Sequence, residues 1–325
     1  MRVPQSNQEP GTRNQEPVVY VLVGATASGK TAVAAELARR LGAELASMDS
    51  MKVYRGMDIG TAKPDAKKVP GTFFARWHLL DLVEASEDFS VGRWLAAADA
   101  VIAGCAARGA PALFEGGSPL YYLALTEGLF PGPPADPALR RELEAAAAER
   151  GVEALHDQLA AVDPAAAARI ERRDLRRIVR ALEVYRATGR PISEMQRQFG
   201  RRRPGFDFRV AGLELPRAEL YARIDRRFEA MMAAGLLDEV RRLAAGGRRL
   251  SASAGQALGY RELGRHLAGE IPIEEAVRLA QRNTRHFARR QTNWFRKMPG
   301  IAWFRPAGNE AGGQLAARIA ESWGR

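Results

Sequence analysis

The sequence predicts an α/β fold: a P-loop NTPase-like core with a parallel sheet flanked by helices, plus an all-helical insertion domain. Three observations carry the prediction. The apolar run Val18–Val23 enters a full G-x-x-x-x-G-K-[ST] phosphate loop, Gly24-Ala25-Thr26-Ala27-Ser28-Gly29-Lys30-Thr31, and an Ala/Leu-rich helical segment leaves it. Strand and helix patterns alternate through the first part of the chain, as in parallel sheets covered by helices. Between two Pro/Gly-rich breaks the pattern then becomes wholly helical.

In order, Gly24 and Gly29 permit the tight turn of the loop, whose amides and following helix N-terminus face a polyphosphate. Lys30 supplies a point charge and Thr31 a hydroxyl for Mg²⁺. The loop alone leaves open which polyphosphate it holds. Thr31 to Leu41 reads as a helix ended by Gly42, Ala43 to Ser47 as a short strand, and His78 to Val83 as another. Val91 to Arg108 is helical, and Pro111 to Phe114 is a buried strand running into Glu115-Gly116-Gly117-Ser118. Ligands of such sheets bind at the carboxyl ends of the strands, where the loops at 24–31, 47–52 and 115–118 converge.

The first break is Phe130-Pro131-Gly132-Pro133-Pro134-Ala135-Asp136-Pro137 and the second is Gly200–Gly205. Phe206 to Leu215 reads as a returning strand, with helices from Arg217 onward. The expected division is a disordered polar lead over 1–16, a core over 17–132 and 204–310, a helical insertion over 133–203 and a C-terminal tail over 311–325.

Of the 325 residues, 46% are hydrophobic and 27% charged, an ordinary globular composition. The formal charge is +11, almost all of the excess being arginine, which points to a polyanionic partner. The single cysteine, Cys105, excludes a disulfide framework and a cysteine-based zinc site. No segment approaches the roughly 20 apolar residues of a membrane span. The polar N-terminus lacks the apolar region of a signal peptide, so the expected setting is a reducing cytoplasm, with no membrane partner. A monomer is the expected state.

Two arginine stripes stand out. Arg278, Arg282, Arg285, Arg289 and Arg296 share one helix face, opposite Ala276, Ala280, Phe287 and Trp294. In the insertion, Arg169, Arg173, Arg176 and Arg180 line one side, while Leu175, Ile178, Leu182 and Tyr185 line another. Few acidic residues lie within the stripes, which favours contact with nucleic-acid phosphates over a solvated face. Near the phosphate loop, Asp49 has three readings: positioning Mg²⁺, acting as a general base, or capping the next turn. The segment Tyr54–Pro64 mixes glycines with polar residues, as binding loops do. His78, His156, His266 and His286 lack metal-ligand spacing and read as structural.

Taken together, Gly24–Thr31, Ser47-Met48-Asp49-Ser50, Tyr54–Pro64 and Gly116–Tyr121 resemble the tRNA dimethylallyltransferase (IPP transferase) family. Further matches are Arg180–Val184, Gly259-Tyr260-Arg261 and Thr284–Trp294, so the resemblance runs in order from about residue 18 to 305. It implies transfer of a dimethylallyl group from its diphosphate to N6 of adenosine 37, beside the tRNA anticodon. The loop would then hold an isoprenoid diphosphate, with Asp49 as general base. Lys30 and the rest of the loop, with Mg²⁺ on Thr31, would stabilise the leaving diphosphate, and Ser118 would keep a hydroxyl where the family usually has threonine. Arg223 and Arg227 match arginines near the diphosphate. The tRNA contacts would be Asp49, Ser50, Met51, Lys52, Ser118 and Arg140, together with Arg176, Arg177, Ile178, Val179 and Arg180. Gln256, Ala257, Leu258, Gly259, Tyr260 and Arg261 complete that set. Glu115, where the family pattern has valine, and Pro119 depart from it. The alternative is a P-loop small-molecule or nucleoside kinase, which explains the loop and Asp49 but neither the insertion nor the stripes.

Overall fold

The computed structural model describes residues 16–64, 76–196, 200–245, 249–306, 310 and 312–325. The polar lead therefore lies outside the described residues except for Glu16. The chain forms two compact units, one of residues up to Leu125 and from Pro204 onward, the other Thr126–Arg203.

In chain order the first unit contributes β1 (Val18–Gly24), α1 (Lys30–Leu41), β2 (Glu44–Ser47), β3 (Trp77–His78), α2 (Val91–Ala107) and β4 (Ala112–Gly116). Helix α3 (Pro119–Glu127) runs into the second unit, which holds α4 (Pro137–Arg150), α5 (Val152–Val162), α6 (Pro164–Ala167), α7 (Leu175–Thr188) and α8 (Ile192–Met195). The first unit resumes with β5 (Asp207–Leu213), α9 (Arg217–Ala233), α10 (Leu236–Ala244), α11 (Tyr260–Leu267), α12 (Ile273–Phe295), β6 (Ala302–Phe304) and α13 (Gly312–Ser322).

The six strands form one sheet in the order β3-β2-β4-β1-β5-β6, every pair parallel. A parallel strand covered on both faces must be apolar throughout, and β1 is. Tyr20 and Leu22 face one core with Val33 and Leu37 of α1. Val19, Val21 and Val23 face the other, with Trp94 of α2, Phe114 and Tyr121. Trp94 stacks on Tyr121 at 4.4 Å between ring centroids and donates its indole N–H to the Ser47 carbonyl at 3.2 Å. That bond anchors the end of β2, directly before Asp49.

Three expectations change. The C-terminal tail is an integral helix: Leu315, Ala316, Ile319 and Ala320 are buried beside α1, and Trp323 lies 4.9 Å from the Tyr20 ring. Helix α13 thus completes the cover that α1 gives this face of the sheet. The strand expected over His78–Val83 ends at His78, because Leu79 and Asp81 adopt positive φ (62° and 54°) and break the extended run. Val83 returns only as an isolated bridge to Tyr54. The helical unit begins at Thr126 rather than 133.

The helical unit has its own core of Leu143, Leu155, Leu159, Ile178, Val179 and Leu182. Asp136, Asp163 and Asp174 cap α4, α6 and α7 through backbone N–H groups. His156 is buried and donates from Nε2 to the Ala167 and Ile170 carbonyls, a structural role.

Candidate active site

Helix α1 is preceded at its N-cap by Gly29, whose φ of 88° favours glycine, and it has neither a side-chain cap nor an acidic residue in its first turn. Its first amides are therefore unsatisfied by the helix itself and form an anion site. Gly24 admits no side chain, since a Cβ would sit 2.8 Å from the Leu213 carbonyl oxygen. Ala27 adopts φ 64° without being glycine, a strained turn of the kind found at ligand clamps. The Ser28 hydroxyl is buried and has no partner among the described residues.

Above this turn opens a cavity of about 380 Å³. Its walls include Thr26, Ala27, Lys30 and Thr31 of the loop, Asp49 and Lys52 after β2, and Thr61 and Ala62 of the 54–64 segment. Glu115, Gly116 and Gly117 close a second side, and Arg223, Arg227, Phe287 and Gln291 a third. Four cations thus face two carboxylates, a net positive cavity suited to a polyanion. The sequence-predicted Arg223 and Arg227 both reach it, and Arg227 donates to the Thr26 hydroxyl at 2.6 Å.

Lys30 is enclosed by protein with part of its surface open to the cavity, and donates to the Ala25 carbonyl at 2.8 Å. Desolvation, reinforced by Lys52 and Arg227, lowers its pKa to about 8 against the opposing pull of Glu115 and Asp49. Burial likewise pulls Arg227 below its ordinary value against Asp49. Burial alone would raise the Glu115 carboxyl, but Lys52 and Lys30 outweigh it and hold it below the usual carboxylate range. A consequence follows for pH. Pyrophosphate binding by the wild type, divided by binding to Lys30→Arg, should fall as pH rises through about 8. Lys30 then loses its proton while arginine keeps its own, and the ligand's own ionisation cancels in the ratio. Calorimetric titration across pH 7–10 checks this, and a flat ratio contradicts it.

Asp49 lines the cavity, and its Oδ1 accepts the Met51 amide at 2.8 Å. The capping reading is thus correct for one oxygen. Among the described residues no hydrogen bond reaches Oδ2. The Ser118 hydroxyl accepts the Ser50 amide at 3.2 Å, tying the two loops together, although Gly116 and Gly117 rather than Ser118 line the cavity. Both glycines are required by space: a Cβ on Gly116 would lie 2.1 Å from the Met48 carbonyl oxygen, and one on Gly117 2.5 Å from Gln291 Nε2.

Several tRNA-contact candidates are not surface side chains. Ile178 and Val179 belong to the core of the helical unit, and Ala257, Gly259 and Tyr260 are also buried. Gln256, Arg261, Arg176 and Arg177 are exposed. Lys52 is buried and points into the cavity. The stripes are also less bare than their own periodicity suggests, because acids on neighbouring turns of the same helix and on other elements neutralise part of them. Arg278 pairs with Glu275, Arg285 with Asp225 and Arg296 with Glu214. In the helical unit, the fully buried Glu183 accepts both Arg140 nitrogens at 3.0 Å, Arg180 at 2.5 Å and the Asp136 amide at 2.7 Å. Arg180 therefore braces the fold, whereas exposed Arg176 has no partner among the described residues. Arg180→Ala should destabilise by about 1.5–3 kcal/mol, the loss of one charge-assisted hydrogen bond to a buried acid that Arg140 still pairs. Arg176→Ala should leave Tm within a degree or two while lowering tRNA affinity and its salt slope by about one. Melting curves and filter binding at several salt concentrations check both.

Three residues take parts at the site that the sequence does not assign them. Gln291 of α12 accepts the Thr26 amide at 2.9 Å and donates to the Gly117 carbonyl at 2.6 Å, bridging both glycine loops. Glu239 of α10 accepts the amides of Asp58, Ile59 and Gly60 and the Tyr260 hydroxyl. Glu115 accepts Lys52 at 2.9 Å and the Thr31 hydroxyl at 3.4 Å. A separate group, Glu44, His78 and Cys105, brings three potential metal-ligand atoms within 4.8 Å of one another. Glu44 is already bidentate to Arg108 at 2.7 and 2.8 Å, so its charge is satisfied.

The family model described as IPP transferase matches residues 52–298, and that described as isopentenyl transferase matches 17–82. The tRNA dimethylallyltransferase of Anaeromyxobacter dehalogenans is 50% identical over 290 residues, covering 89% of this chain and 95% of its own. That of Syntrophobacter fumaroxidans is 45% identical over 311 residues, covering 95% and 88%. Among solved structures, the tRNA isopentenylpyrophosphate transferase of Bacillus halodurans superposes with TM-score 0.69 at 37% identity, covering 95% of this chain and 96% of its own. A eukaryotic dimethylallyltransferase acting on tRNA shares the fold with TM-score 0.75 at 24% identity, covering 94% and 77%. With more than half of the chain matched by one model and such relatives aligned over nearly their whole length, the chain belongs to the tRNA dimethylallyltransferase (IPP transferase) family.

Proposed function

We propose that this protein transfers a dimethylallyl group from dimethylallyl diphosphate to N6 of adenosine 37 in tRNA. The observation that carries the reading is the cationic cavity on the uncapped N-terminus of α1, with the Asp49 carboxylate in its wall. The amine lone pair of adenine is delocalised into the ring and attacks poorly without a base. In the proposed step, N6 forms a bond to C1 of the dimethylallyl group while the C1–O bond breaks. The bonding electrons leave on the diphosphate, and the N6 proton passes to Asp49. Lys30, Arg223, Arg227 and the loop amides stabilise the charge that develops on the leaving oxygen.

The oxygen donors here fit Mg²⁺, a hard cation: the Thr31 hydroxyl would hold it, oriented by its hydrogen bond to Glu115. When bound, the ion supplies further charge to the leaving diphosphate. The adenine must leave its stack before its amine can enter, at a cost of a few kcal/mol, which phosphate contacts from exposed arginines such as Arg176 offset. On this reading the protein acts as a monomer in the cytoplasm. No helix among the described residues is long and apolar enough to cross a membrane.

Incubation with Mg²⁺, unmodified tRNA and labelled dimethylallyl diphosphate, followed by nucleoside digestion, should place label on adenosine. No transfer, with ATP hydrolysis stimulated by tRNA instead, contradicts the reading. A P-loop small-molecule kinase leaves the helical unit and the family match unexplained.

A further inference from the structure

Lys52 and Glu115 form an ion pair at 2.9 Å inside the cavity, with side chains 8% and 1% exposed. Their neighbours sharpen its meaning. Glu115 Oε1 also accepts the Thr31 hydroxyl, and Lys30 acts electrostatically on the same carboxylate. An ammonium has three donors. Glu115 is the only hydrogen-bond partner of Lys52 among the described residues, so two N–H groups of a buried cation remain for whatever fills the cavity it lines. Stability does not explain such a pair, because well-packed apolar residues of similar volume commonly replace a buried ion pair without loss.

We propose that Lys52 is a diphosphate-binding residue of this enzyme and that Glu115 is its positioning residue. The carboxylate holds the ammonium toward the cavity and, by accepting the Thr31 O–H, would leave that hydroxyl's lone pairs free for the Mg²⁺ that accompanies the diphosphate. Lys52 thus serves the prenyl diphosphate rather than tRNA, and Glu115 becomes part of the transfer site. The inference rests on the assignment of the cavity to a prenyl diphosphate.

Inorganic pyrophosphate is the probe, titrated calorimetrically in Mg²⁺ buffer, beside melting curves and tRNA binding. Lys52→Met alone strands a buried carboxylate and can unfold the site, so the decisive variant is Lys52→Met/Glu115→Leu, which removes both charges at similar volume. Its Tm should equal or exceed that of the wild type while pyrophosphate affinity falls at least tenfold. Glu115→Gln should weaken pyrophosphate binding and raise the KM for dimethylallyl diphosphate, leaving the KM for tRNA in place. If the double variant binds pyrophosphate within twofold of wild type, the pair is only a brace and the proposal is overturned. Loss of tRNA affinity with pyrophosphate affinity intact overturns it equally, making Lys52 a tRNA contact. A wild type that binds no pyrophosphate overturns the reading of the cavity and the proposal together.

Discussion

Asp49→Asn is expected to lower turnover for transfer by about 10²–10⁴-fold, the usual contribution of a positioned general base. The substitution is discriminating because of how Asp49 is held. Its Oδ1 accepts the Met51 amide, and an asparagine oxygen makes the same bond, so the loop after β2 keeps its shape. The indole of Trp94 anchors Ser47 independently. What asparagine cannot do is take the N6 proton. Its lost charge removes a repulsion against the diphosphate and, in the opposite sense, a support for the charged forms of Lys30 and Arg227. Pyrophosphate affinity should therefore change little, and tRNA affinity should hold. Single-turnover transfer at saturating tRNA, beside separate binding of each substrate, makes the comparison. A variant that binds tRNA poorly but transfers at the wild-type rate would remove Asp49 from the role of base.

The parts of this site that the sequence discloses are those whose physics is local. The phosphate loop is legible because Gly24 and Gly29 answer backbone requirements within eight residues, and β1 because a doubly covered strand must be apolar throughout. Arg223 and Arg227 were reached through family resemblance, and Arg227 indeed touches Thr26. Gln291 and Glu239 were not legible as site residues. Each partners a loop some 180 or more positions away, and a single polar residue on an amphipathic helix does not announce which distant amide it serves. The arginine stripes fail for the complementary reason. Periodicity identifies the shared face, but Glu214, Asp225 and Glu183 approach from other turns or other elements and neutralise part of it. Helix α13 is a middle case: its apolar positions Leu315, Ala316, Ile319 and Ala320 recur at helical spacing, but the sequence alone does not say that α1 and Tyr20 receive them.

Glu239→Ala should produce the largest loss of stability at a residue that does not itself line the cavity. Its carboxylate is 3% exposed and accepts Asp58, Ile59 and Gly60 amides at 3.1, 2.8 and 3.2 Å, plus the Tyr260 hydroxyl at 2.6 Å. Burial, with Glu239 as the next cause, raises the Tyr260 pKa, so the phenol stays a donor to the carboxylate. Hydrogen bonds to a charged group contribute about 1.5–3 kcal/mol each. Water can reach the loop amides once the segment opens, so the expected net loss is about 3–5 kcal/mol rather than the sum. Gly60 packs so tightly on Tyr260 that a Cβ there would lie 2.4 Å from the ring, which leaves the loop no second seat on α11. Release of this segment displaces Thr61 and Ala62 from the cavity wall. Hydrogen exchange should therefore accelerate first at the amides of residues 58–60, and the KM for dimethylallyl diphosphate should rise. Tyr260→Phe, which removes one donor of four, should cost about 1.5–3 kcal/mol and leave those amides protected. Equal exchange at 58–60 in wild type and Glu239→Ala would show that the loop is held by its other anchor. That anchor is Lys63, which donates to the Tyr54 carbonyl at 2.8 Å and to Asp58 at 2.6 Å. In that case, Lys63→Met rather than Glu239→Ala would open the cavity wall.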